Sequence, residues 1–342
     1  IFTRMTLEKL IFDKYGNVNS GVFINQKKEK IYIKAKKYVL ASGGIENARI
    51  LLSSRNELPN PLLKHKAIGK FYMDHPTYIS KPIKLKSPLS FRKTICTSFK
   101  EGFIQYGIEL KNKKNQDFPP YIQIKPLYDE KMKNLYSNFI KSIKFISGRS
   151  LKFPKLKFNL PLLFDSIYYL MPRSYLNHFI FLILDKLSSI KRKRFKYAKI
   201  SILLNQKPLK SNHIKLSQVK NNLGINIPKL NWDISKDEIK DLESHLKNSI
   251  EFLYSQNILE NKFVNLDIKK DFLNEASHHM GTTRMGISIN DSVVDSNLKV
   301  FNSNNLFIIG SSVFRTGGNC NPTLTIVALS IRLAEYINKN EF

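Results

Sequence analysis

Apolar and polar positions alternate from the start of the chain. Residues 5–12 alternate loosely, Lys14-Tyr15-Gly16-Asn17 is a turn signal, and residues 18–25 take up the alternation again. Residues 31–33 and 38–40 continue it. A strand then ends at Ala41-Ser42-Gly43-Gly44, and Glu46, Asn47, Arg49, Leu51 and Leu52 fit the first turns of a helix. A strand that runs into glycines and a helix is the layout of a backbone-lined anion or cofactor site. Glycine permits close approach, and the helix start offers free N–H groups.

Prolines 59 and 61 mark a loop. Alternation from about residue 80 to 130 predicts further strands. Residues 130–195 are rich in aromatics and Leu, with prolines at 154, 161 and 172, and predict short helices, with an amphipathic one at 175–187. Strands are predicted again at 200–204, 213–216 and 225–232, the last after the turn Asn221-Asn222-Leu223-Gly224. Ser235 is an N-cap with Asp237 and Glu238 in the first turn. Ile239, Leu242, Leu246, Ile250 and Leu253 recur at helical spacing behind it. A last helix is predicted from about residue 323 to 337.

Two glycine-bearing loops precede that helix. The first is His278-His279-Met280-Gly281-Thr282-Thr283-Arg284-Met285-Gly286; the second is Gly317-Gly318-Asn319-Cys320-Asn321-Pro322-Thr323. Between them, residues 293–295 and 306–309 read as short strands that fold back and bring the loops together. A titratable imidazole beside a carboxamide suits a proton acceptor with an orienting partner.

Composition adds one anomaly. The 342 residues suffice for two domains, and 42% apolar with 24% charged is ordinary for a globular protein. The formal charge of +29 is not. It raises nucleic acid or an anionic membrane as partners. Its lysines are scattered among Ile and Asn, however, and only residues 191–194 form a dense basic cluster. A solvated, compositionally biased surface is therefore the preferred reading; no nucleic acid is expected, and membrane contact is the lesser alternative. The two cysteines, Cys96 and Cys320, form no metal-ligand spacing and no disulfide framework, so no metal is expected and a reducing, cytoplasmic compartment is favoured. The longest apolar run, residues 179–184, is far short of the ~20 residues of a spanning helix.

The histidine block closely resembles the C-terminal signature of the glucose–methanol–choline (GMC) oxidoreductases, a family of FAD-dependent enzymes. Residues 38–52, Gly69-Lys70-Phe71-Tyr72-Met73-Asp74-His75-Pro76, and Asn212-His213-Ile214-Lys215-Leu216 with Gly224 and Asn231-Trp232-Asp233 are similar to other family segments in the same order. The resemblance implies His278 as catalytic base and Asn321 as its partner, with oxidation of an alcohol by hydride transfer to flavin N5. Histidine titrates near neutral pH, and a carboxamide both donates and accepts. His279 points the other way if the segment is extended. His65, His75 and His245 lack comparable surroundings and are read as structural or exposed. For FAD, the resemblance implies contacts from Leu7, Ala41, Gly43, Asn47, Gly310, Ser311, Pro322 and Thr323. Gly310 stands where many members have Asp. The final helix would aim its positive end at the isoalloxazine.

The family's N-terminal βαβ unit with Gly-x-Gly-x-x-Gly is not found here; none of the 14 glycines has that spacing. Ile1 stands inside a strand-like pattern, so an incomplete sequence is expected, with a separate N-terminal FAD-binding segment as a partner. The expected fold class is α/β with an α+β substrate domain: a two-domain GMC-type FAD-binding fold lacking the N-terminal βαβ dinucleotide unit. Residues 1–80 and 275–342 would form the FAD domain and residues 81–274 the substrate domain, with an antiparallel sheet and helices. The substrate would be a small-molecule alcohol, such as a sugar or polyol, and the electron acceptor is open. The alternatives are a flavin-bound lyase of the same fold and an inactive fragment or basic binding module.

Overall fold

The computed structural model describes residues 1–55, 65–86, 96–99, 102–105, 121–126, 197–262, 268, 273–318 and 320–340. The helix expected at 175–187, the short helices of 130–195 and the basic cluster at 191–194 lie outside the described residues.

Strands β1 (Met5–Phe12), β2 (Val18–Asn25) and β3 (Lys30–Ile33) form an antiparallel sheet in that order. The tight turn uses Asp13, whose carboxylate accepts from the Tyr15 and Asn17 N–H groups. Strand β4 (Tyr38–Leu40) leads into helix α1 (Gly43–Ser54). Five strands then build a second, antiparallel sheet. β5 (Thr77–Ile79) and β6 (Ile83–Lys84) both pair with β10 (Tyr197–Leu203), which pairs on its other side with β9 (Tyr121–Pro126). The hairpin of β7 (Cys96–Phe99) and β8 (Gly102–Gln105) stands apart, as does that of β11 (His213–Lys220) and β12 (Asn226–Asn231).

Helix α2 (Lys236–Ser255) starts as its sequence predicts. The Ser235 side chain accepts from the Glu238 N–H, and the Glu238 carboxylate accepts from the Ser235 N–H, a full capping box. Its buried stripe of Leu242, Leu246, Ile250 and Leu253 covers Ile200 and Ile202 of β10. β13 (Leu273–Asn274) adds to the sheet beside β5, and β14 (Leu306–Ile308) pairs in parallel with β4. Helix α3 (Thr323–Lys339) closes the chain. Of its apolar residues only Leu333 is buried; Leu324, Val327 and Ile331 are exposed. No helix among the described residues is long and apolar enough to cross a membrane.

Two large apolar clusters result, beside a small one of Ala48, Tyr72 and Ile214. One gathers β1, β2, β4, α1 and β14 with Val293, Val294, Leu298 and Val300; the other gathers β10 and α2. One expected strand is not formed. Val294 makes only isolated bridges, to Met285 and Val300. The Asp295 carboxylate accepts from the Asn297 and Lys299 N–H groups, so the backbone turns where a strand would continue.

Candidate active site

The parallel pairing of β4 and β14 decides where the glycine turns meet. Leu40 lies opposite Ile308, so residues 41–44 and 309–311 leave the same end of the pair. Asn47, in the first turns of α1, locks that end. Its Oδ1 accepts from the Ser42 N–H at 2.8 Å, and its Nδ2 donates to the Ile309 carbonyl and Ser312 Oγ, each at 2.9 Å. Gly310 needs its glycine, with φ at +108°.

The histidine loop is laced to this end. The N–H groups of Gly281, Thr283 and Met285 donate to the carbonyls of Ser311, Ser312 and Val313. Ser311 Oγ donates to the His279 carbonyl at 2.6 Å, and Thr282 Oγ1 to the Gly44 carbonyl. On its other side, Met280 exchanges two backbone hydrogen bonds with Met73. That ladder places Asp74 and His75 beside His278 and His279.

Asp74 is fully buried. Its Oδ1 accepts from the His75 N–H at 2.6 Å, the His278 N–H at 3.0 Å and the Ala276 N–H at 3.3 Å. His75, also fully buried, meets the His278 ring edge to face, with centroids 5.3 Å apart at 88°. His279 turns the other way, its ring 5.9 Å from that of Tyr72. Asp74, Glu275 and His279 each place one side-chain atom within 4.8 Å of the others.

These surroundings set the charge of His278. Burial lowers its pKa, the neighbouring His75 lowers it further, Asp74 opposes this, and His279 adds a smaller lowering. A hydrogen bond from Ser277 holds the Glu275 carboxyl below its ordinary value. Burial pushes the Tyr72 hydroxyl well above its usual pKa, with Asp74 and Glu275 adding to the rise.

The structure therefore gathers Ala41, Gly43, Asn47, Gly310, Ser311 and the histidine loop. Ala41 is exposed, whereas Asn47 and Ser311 are buried and hold neighbouring backbone. Leu7 lies on β1, its carbonyl already accepting from Arg49 Nη2 at 2.6 Å. Asn321 is exposed, and its side chain makes no hydrogen bond to His278 among the described residues. Its loop reaches the histidines through Gly317 instead. A Cβ there would stand 3.0 Å from Met280 Cε and 3.3 Å from both Asn205 Oδ1 and His75 Cε1. Pro322 is the N-cap of α3, and Thr323 begins the helix, exposed.

Sequence reasoning missed Asp74, His75, Asn205 and Glu275. Only the first two carried a signal, the Asp-His-Pro of residues 74–76. His65, His75 and His245, read as structural or exposed, are all buried.

Known proteins bear on this arrangement. A model of the GMC oxidoreductase family matches residues 208–330. A 2-methyl-1,2-propanediol dehydrogenase of Mycolicibacterium austroafricanum is 44% identical over 62 residues, 18% of this chain and 11% of that protein. A C-glycoside 3-oxidase of Microbacterium trichothecenolyticum is 41% identical over 66 residues, 19% and 13% of the two chains. Among solved structures, pyridoxine 4-oxidase from Mesorbium loti aligns over 99% of this chain and 58% of its own, at TM-score 0.55 and 14% identity. An FAD-dependent oxidoreductase from Chaetomium thermophilum aligns over 99% and 61%, at TM-score 0.57 and 16% identity. The chain thus spans about three-fifths of the solved chains it matches. Its histidine loop, α2 and the start of α3 fall inside the match to the GMC oxidoreductase family model, and this chain follows the fold of those solved chains over nearly its whole length.

Proposed function

We propose that this chain takes part in the FAD-dependent oxidation of an alcohol, with His278 as the base. The observation that carries the reading is the setting of His278. Its ring is half-buried, its backbone is fixed by Asp74, and its loop is hydrogen-bonded to the end of β4 and β14. Burial and His75 keep it neutral at neutral pH, the state a base requires.

The residues present fit FAD. Gly43 and Gly318 have φ of +84° and +66°, and a Cβ at either would meet nothing within 4 Å. Such uncovered, left-handed backbone accepts a flat or phosphorylated ligand at close range. Ala41, Gly43 and Gly310 would line the dinucleotide, with Asn47 and Ser311 holding that backbone in place. Pro322 and Thr323 would present the N-terminal end of α3, where a helix favours negative charge. Leu7 would contribute only its remaining backbone. Bound FAD supplies the two-electron acceptor. His278 takes the hydroxyl proton, and Asn321 orients the substrate oxygen.

On this reading residues 1–80 with 275–342 form the cofactor part and residues 81–274 the substrate part. A separate glycine-rich segment completes the grip on FAD. A sugar or polyol is the favoured substrate, in line with the diol and glycoside named for the relatives. The test is anaerobic bleaching of the bound flavin by a panel of alcohols. Bleaching that disappears in His278→Ala supports the reading. Flavin that no alcohol reduces would overturn it and favour the lyase alternative.

A further inference from the structure

The two carboxylate oxygens of Asp74 have unequal surroundings. Oδ1 accepts from three backbone N–H groups, those of His75, Ala276 and His278. Oδ2 is buried and has no hydrogen-bond partner, in a side chain with no exposed surface. Unpaired buried polar atoms are few in folded proteins, and an unmatched carboxylate oxygen is among the costliest. A group that Oδ2 can bind would remove that cost.

Two further ligand groups stand beside it. One side-chain ligand atom from each of Asp74, Glu275 and His279 lies within 4.8 Å of the other two. Three donors already saturate Oδ1, so Oδ2 is the Asp74 atom left to bind. Glu275 commits one oxygen, Oε2, to the Ser277 N–H and Oγ. Tetrahedral bonds of ~2.0–2.2 Å set ligand atoms roughly 3.3 Å apart, so the trio needs to close by no more than ~1.5 Å. Glu275 is exposed and His279 half-buried, so the side chains that must turn have room to do so. Their backbones are already fixed. Ser311 Oγ donates to the His279 carbonyl at 2.6 Å, and the Ala276 N–H, next to Glu275, donates to Asp74.

We propose that Asp74, Glu275 and His279 form a binding site for a divalent transition-metal ion of the zinc class, with Asp74 Oδ2, one Glu275 oxygen and one His279 ring nitrogen as ligands. Two carboxylates balance the charge of such an ion, and the imidazole selects for zinc-like metals over calcium or magnesium, which prefer oxygen throughout. Three protein ligands leave a fourth position for water, reached from the exposed side at Glu275. The ion cross-links the two segments through side chains, as the Met73 and Met280 backbones already do. Cysteine spacing gave no metal signal because these ligands are acids and a histidine, brought together by the Met73–Met280 bridge. The site is independent of the role proposed for His278.

Zinc chloride added to the chelator-treated chain is the test, read by metal content after dialysis and by thermal unfolding. One zinc per chain is expected, with a rise in Tm, because an ion held only by the folded state stabilises it. Glu275→Ala and His279→Ala should each weaken binding at least ~10-fold, the loss that even outer-shell changes produce, and should abolish the rise in Tm. His213→Ala removes a histidine outside the cluster and should keep both. Cobalt in place of zinc should give the visible bands of a tetrahedral ion in the wild type and lose them in Glu275→Ala and His279→Ala. A chain that binds no zinc would overturn the proposal, and would leave a proton shared between Asp74 and Glu275 as the account of Oδ2. Zinc bound as tightly by Glu275→Ala and His279→Ala as by the wild type would overturn it too. Flavin bleaching is read separately, so neither reading decides the other.

Discussion

Gly44 and His279 touch backbone to backbone: a Cβ at Gly44 would fall onto the His279 carbonyl. The N-terminus of α1 can therefore approach the histidine loop only because position 44 has no side chain. Neither side can yield, since the loop is bonded to residues 311–313 and α1 packs in the core. Gly44→Ala should cost about 3 kcal/mol or more, at the upper end of overpacking changes. Chemical denaturation would measure it, and a loss below ~0.5 kcal/mol would mean that the loop moves freely.

Asp74 joins segments distant in sequence through three backbone N–H groups. Asp74→Asn can keep an oxygen at the Oδ1 position and should cost ~1–2 kcal/mol. Asp74→Ala strands three donors and should cost ~3 kcal/mol or more, since a lost partner leaves about 1–3 kcal/mol of unmet desolvation. Urea melts of both variants separate these values. Equal losses would show that the ties at Oδ1 carry little.

What was legible in the sequence follows from how local each signal is. The capping box at Ser235 and Glu238, the buried stripe of α2 and the turn at Asp13 are short-range, and all were readable. The Gly43–Gly44 turn and the histidine loop were readable as motifs. Their meeting depends on the register of β4 against β14 and on the Met73–Met280 bridge, which no local pattern encodes. For the same reason His75 looked ordinary in sequence. Its neighbour His278 arrives through that bridge.

The pKa of His278 is lowered by burial first and by His75 second. As the proposed base it must be neutral, so the rate should rise with pH and level off once the ring is deprotonated. The acid limb of kcat/KM is then expected below pH 6.5, the ordinary histidine value. His278→Ala should cut flavin reduction by ~100-fold or more, within the range of general-base contributions. His279→Ala should cost far less. An equal loss in the two variants would reverse their roles.

His65 offers a separate test, away from the chemistry. Burial depresses its pKa from 6.5 to about 4, against the backbone bond at Phe301 and with a smaller push from Arg55. Below pH 6.5 the unfolded chain takes up a proton that the folded chain refuses. Stability should be full above pH 6.5 and fall as the pH drops to about 4, by up to ~3 kcal/mol. His65→Gln cannot titrate, so its stability should vary less across that window. Parallel curves for the two proteins would rule out His65 as the source.

Asn47 carries the strongest prediction for the proposed cofactor cradle. It is fully buried, and its carboxamide is committed to three partners: the Ser42 N–H, the Ile309 carbonyl and Ser312 Oγ. Its expected part in binding FAD is therefore indirect, as the pin between the two glycine turns. Asn47→Leu preserves volume but unpairs those groups, at about 1–3 kcal/mol for each that water cannot reach. Asn47→Asp keeps the acceptor for the Ser42 N–H but loses the two donated bonds, and adds a buried charge. Both variants should lose stability, and flavin content should fall with it, because residues 41–44 and 309–311 are no longer held at one spacing. Flavin absorbance per folded chain is the measurement. If Asn47→Leu kept full flavin content while losing stability, the turns would be held apart by β4 and β14 alone, and the pin would be structural.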